Sequence, residues 1–134
     1  MSAKSILLSF LSVLFVLSSC TKHEPKVEAA RESVMAVHDK VMPEMGTIHR
    51  LRKKINKKMR ADGVTELTKA NYRQIITMLD DADEGMMSWM AEFKIPKEAT
   101  VAEKLEYLKS EQSKIDKVSE DMYTAIKEAE LMLK

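Results

Sequence analysis

Apolar residues recur every three or four positions along most of this chain, and that spacing constrains the fold more than any other feature. A period near 3.6 is typical of one face of an amphipathic helix, whereas a half-buried strand needs strict alternation. No alternating stretch of useful length is present, and only three Gly and three Pro interrupt 134 residues. Sandwiches, barrels and Rossmann units need more turn-forming residues, so the sequence predicts a single all-α domain.

The periodic pattern divides into three long amphipathic helices joined by short turns. Pro43 lies inside the first helix, where it removes one backbone hydrogen bond and clashes with the carbonyl of Asp39, so we expect a kink there. A complete break into two helices is the alternative. Three such helices predict an elongated antiparallel bundle with up-down-up topology. Their predicted bounds are Val27 to about Arg60, Thr65 or Thr68 to about Lys94, and Pro96 or Lys97 to Leu133.

Each predicted helix has one apolar face that would form the core of the bundle. On the third helix this face follows a heptad pattern with two polar interruptions, Gln112 and Ser119. Buried polar residues can set the register of packed helices, and a position at a partly exposed rim is the alternative. The other predicted core residues are Val27, Ala30, Val34, Val37, Val41, Met45, Ile48, Leu51, Ile55 and Met59; Tyr72, Ile75, Ile76, Leu79, Ala82, Met86, Met90 and Phe93; and Val101, Leu105, Leu108, Ile115, Met122, Ile126, Ala129 and Leu133.

The first twenty residues have the organisation of a bacterial lipoprotein signal. Lys4 precedes an apolar run that is too short to span a bilayer, and the run ends in Leu17-Ser18-Ser19-Cys20. This ending resembles the lipobox, in which an aliphatic residue and two small residues precede the Cys that becomes lipidated. The thiol is the only side chain there that can carry a thioether-linked diacylglycerol. A secretory peptide cleaved elsewhere, with Cys20 incidental, is the alternative.

The signal predicts three segments and a location. They are a cleaved signal peptide (1–19), the lipidated Cys20 with a polar tether (20–26) and the three-helix bundle (27–134). Two or three acyl chains would anchor the protein stably to a membrane of the bacterial envelope. Because residue 21 is Thr rather than Asp, the enterobacterial sorting pattern favours the outer membrane, with the bundle facing the periplasm.

Composition excludes several kinds of partner and cofactor. The chain has 22 Lys and Arg against 21 Asp and Glu, and cleavage of the signal peptide would remove only Lys4 from this balance. Zero net charge in the mature part argues against a nucleic-acid partner. The single Cys excludes an internal disulfide and Cys-based zinc or iron–sulfur sites.

The chain has eleven Met residues, an unusually high number, and several of them lie close in sequence to His38 or Trp89. The short first turn predicts that the first two helices face each other where residue numbers sum to about 126, which brings two Met clusters into one layer. Thioether and imidazole groups suit soft ions such as Cu(I) or Ag(I). The candidate ligands are His38, Met42, Met86 and Met90, with Met35, Met87 and Trp89 nearby.

Packing is the more common role of Met residues at helical spacing, since their flexible side chains fill irregular gaps in a core. A His that borders a core is usually held by a hydrogen bond. The sequence therefore leaves three interpretations of this layer: packing, a soft-metal site, and a Met-lined groove for a peptide or hydrophobic ligand.

A run of basic residues ends the first helix, with no acid among them. The bundle alignment predicts intramolecular pairing with acids of the third helix, in preference to binding of an anionic lipid, a glycan or an acidic partner. The basic residues are Arg50, Arg52, Lys53, Lys54, Lys57, Lys58 and Arg60, and the acids are Glu111, Asp116, Glu120 and Asp121.

No nucleophile elbow, Walker loop, Glu-x-x-His pair or plausible triad occurs, so we do not expect an enzyme. Three segments, residues 34–45, 83–90 and 107–111, resemble small bacterial lipoproteins labelled "viral A-type inclusion protein". That label implies neither a virus nor a mechanism, and no site residues carry over from it. We expect a lipid-anchored binding or structural accessory with a possible envelope protein partner and no cofactor; a Cu(I)/Ag(I)-binding periplasmic chaperone or sensor is the alternative.

Overall fold

The computed structural model describes residues 24–134, and within that range every regular element is an α-helix. The helices are α1 (Pro25–Val41), α2 (Glu44–Met59), α3 (Glu66–Glu92) and α4 (Val101–Met132). Helices α1 and α2 are two halves of one bent helix, so three helical segments pack against each other as an all-α bundle. The predicted fold class is confirmed. The predicted signal peptide, Cys20 and the first residues of the predicted tether lie outside the described range.

Contacts between helices establish the up-down-up order. His38 and His49 of the bent helix contact Met90 and Asp83 of α3, so the residue numbers run in opposite directions. Glu24, which precedes α1, contacts Lys104 of α4, and Ser33 of α1 contacts Gln112 of α4, so α1 and α4 run in parallel. None of the helices within residues 24–134 is long and apolar enough to cross a membrane.

The bend between α1 and α2 has the predicted cause. Pro43 has no N–H to donate to the carbonyl of Asp39, and the ladder is replaced locally by tighter bonds from Met45 N to Met42 O (3.2 Å) and from Gly46 N to Pro43 O (3.3 Å). Met42 and Pro43 nonetheless keep right-handed helical dihedrals. The chain is therefore kinked at Pro43, and the two halves remain one bent rod.

The core contains most of the predicted faces and two apolar residues that were not predicted to belong to it, Trp89 and Ala125. Trp89 is 5% exposed and lies in the same cluster as the apolar residues of all four helices. Gln112 and Ser119 are half-buried, which supports a rim position for both. The buried apolar residues are Val27, Val34, Val41, Met45, Ile48, Leu51, Ile55, Tyr72, Ile75, Leu79, Ala82, Met86, Trp89, Leu108, Ile115, Met122, Ala125, Ile126 and Ala129.

The predicted start of the last helix at Pro96 or Lys97 is wrong, because α4 begins at Val101. Thr100 and Glu103 form a capping box: the Glu103 backbone N–H donates to the Thr100 hydroxyl, and the Thr100 backbone N–H donates to the Glu103 carboxylate. This box satisfies two backbone donors that a helix start would otherwise leave unpaired. Val101, predicted as core, is 42% exposed at this helix start.

Replacing Thr100 with alanine is expected to lower the free energy of unfolding by about 1 kcal/mol, because the cap hydroxyl is lost. Hydrogen bonds from Thr100 also hold the pKa of Glu103 below its ordinary value, so this carboxylate stabilises the fold above pH 4.5 and less as the pH falls through its lowered pKa. Urea unfolding at pH 7 and pH 3 measures both effects. Thr100→Ser keeps the hydroxyl and is the matched control; an equal loss in both variants would contradict the capping role.

Candidate functional site

The predicted Met/His/Trp layer is centred on one contact between α1 and α3. The Nε2 atom of His38 lies 3.2 Å from the Sδ atom of Met90, in a partly buried position. The His38 side chain is 16% exposed, and its Nδ1 atom lies 2.9 Å from Oδ1 of the neighbouring Asp39. Two of the four predicted ligands therefore touch directly.

The two contacts of His38 place competing demands on its protons. A neutral imidazole has one N–H donor and one lone-pair acceptor, and both Asp39 and the Met90 thioether are acceptors. If Nδ1–H donates to the Asp39 carboxylate, the Nε2 lone pair faces the sulfur lone pairs at 3.2 Å. A proton on Nε2, or a soft cation between the two atoms, would satisfy that arrangement. Carboxylate–His pairs of this type fix the tautomer of many metal-binding His residues.

The distance is also close to what a shared ion requires. With bonds of about 2.0 Å to nitrogen and 2.3 Å to sulfur, as in zinc sites, two ligands at a tetrahedral angle stand roughly 3.5 Å apart. His38 and Met90 need little movement to reach that separation. The donor set of one imidazole and one or more thioethers fits Cu(I) or Ag(I) better than a hard cation.

The remaining predicted ligands, Met42 and Met86, lie one helical turn away. The contact between His38 and Met90 fixes an antiparallel register in which facing residue numbers sum to 128, and Met42 and Met86 obey the same sum. The predicted sum of about 126 is therefore close to the observed one. Met86 is fully buried, and Met42 is half-buried and packs against the core.

The three neighbouring residues occupy different surroundings. Trp89 contacts the site directly, with its ring centroid 5.6 Å from that of His38. Met35 is half-buried and packs against the core, one helical turn before His38. Met87 is half exposed to solvent, at 50%. The ring of Trp89 therefore packs against the imidazole of His38.

A row of four rings connects the site to α4. Trp89 stacks on Phe93 with centroids 4.9 Å apart, and Phe93 lies 6.2 Å from Tyr107, whose hydroxyl accepts a hydrogen bond from Lys94 N–H. The indole N–H of Trp89 is buried without a hydrogen-bond partner among residues 24–134. A buried unpaired donor costs about 1–3 kcal/mol, which is unusual at a position whose only role is packing.

Sequence reasoning missed one buried charge near this layer. Glu111 is buried on α4 and is paired at 2.8 Å with Lys114, which raises the pKa of Lys114. The contact of Phe93 with Tyr107 places this part of α4 beside the C-terminal end of α3. The heptad assignment missed this residue because it placed the second core position at Gln112, whereas Glu111 lies three residues after Leu108 and four before Ile115.

The predicted pairing of the basic run with the third helix is wrong. Among residues 24–134 the acids Glu111 and Asp121 pair with lysines of their own helix, and the basic run makes one ion pair, from Arg52 to Asp80 of α3. The hydrogen bond from Lys58 to the Leu133 carbonyl places the run beside the end of α4, beyond those acids. The predicted position of the basic run along α4 differs from the observed one by more than two helical turns.

Hard-metal chemistry has no comparable arrangement in the part of the chain that the structure describes. No group of three or more His, Cys, Asp or Glu side chains comes together within residues 24–134.

Comparison with protein-family profiles, with curated proteins and with solved structures gives no match for this chain. Support for a function therefore comes from the local chemistry of the chain's own residues.

Proposed function

We propose that this protein is a lipid-anchored component of the bacterial envelope, attached through Cys20, that acts as a non-enzymatic binding or structural accessory. The observation that carries this proposal is the sequence Leu17-Ser18-Ser19-Cys20, which resembles the lipobox. Glu24 is only four residues beyond Cys20, and its carboxylate pairs at 3.0 Å with Lys104 of α4 in a largely buried contact. The bundle therefore begins almost at the anchor.

The dimensions of the chain support an accessory that holds its surfaces near a membrane. Four residues span at most about 14 Å when fully extended. The 35 residues from Pro25 to Met59 make a bent rod about 50 Å long at 1.5 Å per residue. Such a protein keeps its helical faces within a limited distance of the bilayer, and we place it at the outer membrane, facing the periplasm.

Replacing Cys20 with alanine is expected to abolish acylation, because no other side chain at that position can form the thioether. Growth of the producing bacterium with an alkyne fatty acid, followed by detergent phase partitioning and intact mass, measures the change. Wild-type protein should be labelled and enter the detergent phase, whereas Cys20→Ala should be unlabelled. Thr21→Ala is the matched control and should be labelled normally. An unlabelled wild-type protein would contradict the anchor.

The alternative that we propose is a Cu(I)/Ag(I)-binding periplasmic chaperone or sensor. One observation favours it: the His38 Nε2 atom and the Met90 Sδ atom face each other at 3.2 Å while Asp39 contacts the other ring nitrogen. Thioethers need no deprotonation, so such a site works in an oxidising compartment. The candidate ligands are His38, Met42, Met86 and Met90.

Anaerobic titration with Cu(I) in the presence of a competing chelator is expected to give one bound ion per chain. Trp89 is the only Trp and its ring lies 5.6 Å from that of His38, so its fluorescence should fall in step with binding. Zn²⁺ is the control ion and should cause no quenching at the same concentration. Absence of stoichiometric Cu(I) binding would leave packing as the role of the layer.

A further inference from the structure

Helix α2 has a continuous row of cations on its solvent side. Five residues repeat at helical spacing over about 15 Å, and all are exposed. They line an open groove of about 670 Å³ together with Asn56. We call this row the basic face of α2; it consists of Arg50, Lys53, Lys54, Lys57 and Arg60.

The basic face is not neutralised by the rest of the bundle. Other positions of α2 point to α3, where His49 contacts Asp83 at 2.8 Å and Arg52 contacts Asp80 at 2.5 Å. Within residues 24–134, no carboxylate lies within 4 Å of a cationic nitrogen of the basic face. Five like charges in a row repel one another, so an anionic surface placed against them is favourable.

The shape of the face favours an extended plane of anions over a compact ligand. The cations lie along the outside of a helix in a single line, and the groove beside them is open to solvent. Exposed apolar side chains lie at the same end of the bundle: Leu67 in the first turn of α3 and Leu131 in the last turn of α4. Cations at the same end of the bundle as exposed leucines match the layer where anionic headgroups meet acyl chains.

We propose that the basic face of α2 binds the anionic phospholipid headgroups of the same bilayer that holds Cys20, so that the bundle lies along the membrane. This proposal rests on the anchoring part of the proposed function. The anchor raises the effective concentration of that bilayer above that of any other surface. The tether of about 14 Å and the rod of about 50 Å allow the far end of α2 to reach it.

The test uses the full chain, purified with its own N-terminus and reconstituted into vesicles. Ala61→Cys places a donor dye in the exposed turn that follows the basic face, and an acceptor is attached to lipid headgroups. Intact mass reports acylation of Cys20 and the single dye, so failure of the anchor is read separately from failure of docking. Energy transfer is compared between phosphatidylcholine vesicles and vesicles with 30% phosphatidylglycerol, at low and high salt.

High energy transfer is expected on the anionic vesicles at low salt, and low transfer on neutral vesicles or in 0.5 M KCl. Each cation near an anionic surface changes the docking equilibrium by about fivefold. The triple variant Lys53→Glu, Lys54→Glu, Lys57→Glu should therefore shift it by at least about 100-fold. The matched control carries the same charge change on exposed lysines elsewhere: Lys97→Glu, Lys109→Glu and Lys127→Glu.

Three outcomes overturn the proposal. Equal energy transfer on neutral and anionic vesicles means that the basic face does not bind anionic lipid. An acidic protein would then be the remaining partner. Equal loss in both triple variants means that net charge, rather than the basic face, controls docking. Aggregation of anionic vesicles by wild-type protein, seen by light scattering, means that the face binds a second bilayer instead of its own.

Discussion

Replacing Leu79 with alanine is expected to lower the free energy of unfolding by about 2–5 kcal/mol. Leu79 is fully buried near the middle of α3, the helix that packs against both α2 and α4. Truncation removes apolar surface from the core and leaves a cavity that the neighbouring helices α2 and α4 cannot fill completely. Because small domains are stable by only about 5–15 kcal/mol, this single change removes a large share of the total.

Leu67→Ala is the matched control for Leu79→Ala, since the same atoms are deleted from the same helix. Leu67 is 75% exposed, and its truncation should change the stability by no more than about 0.5 kcal/mol. Urea unfolding followed by far-UV circular dichroism and by Trp89 fluorescence measures both variants. Similar losses in the two variants would contradict the assignment of the core face.

Helical periodicity predicted the fold because burial in a bundle is decided by position along one face. Val34, Ile48 and Ile55 are buried where the spacing of three and four places them, and Pro43 bends the helix where its missing N–H requires it. Local chemistry determines these features, so a single sequence contains enough information for them.

The start of the last helix and the position of the basic run were predicted wrongly, because both depend on interactions that apolar periodicity does not report. The last helix begins at Val101 because Thr100 and Glu103 cap it, although apolar spacing could have been extended back to Pro96. The basic run lies beside the end of α4 because the turn between Glu92 and Val101 is longer than the sequence predicted. Registers between helices depend on the conformation of whole turns, which no local pattern fixes.

The sequence predicted which residues meet in the layer, but it did not predict the hydrogen-bonding contacts and the burial of these residues. His38, Met90 and Trp89 meet as the turn length predicted. The contact of Asp39 with Nδ1 was not predicted, because it depends on the side-chain orientation of an adjacent exposed residue. The burial of Trp89, with its unpaired N–H, was also missed, since the indole was expected beside the layer rather than in the core.

Removing either directly touching ligand is expected to lower the affinity for Cu(I) by more than about 100-fold, if the layer is a soft-metal site. His38→Ala removes the imidazole, and Met90→Leu replaces the thioether with a side chain of similar volume. Loss of groups that only orient metal ligands already costs about 10–100-fold, so loss of a ligand should cost more. Asp39→Asn, which keeps the shape and removes the charge, should fall in that 10–100-fold range.

Stability separates ligation from packing in the same variants. Met90→Leu conserves volume and should cost less than about 1.5 kcal/mol, so a large loss of Cu(I) affinity in a folded protein reports ligation. His49→Ala and Met122→Leu are the matched controls: His49 contacts Asp83 away from the layer, and Met122 is a fully buried Met of α4. In competition titrations, His49→Ala and Met122→Leu should bind Cu(I) with the same affinity as the wild type. If Met90→Leu binds Cu(I) like the wild type, the contact between His38 and Met90 serves packing alone.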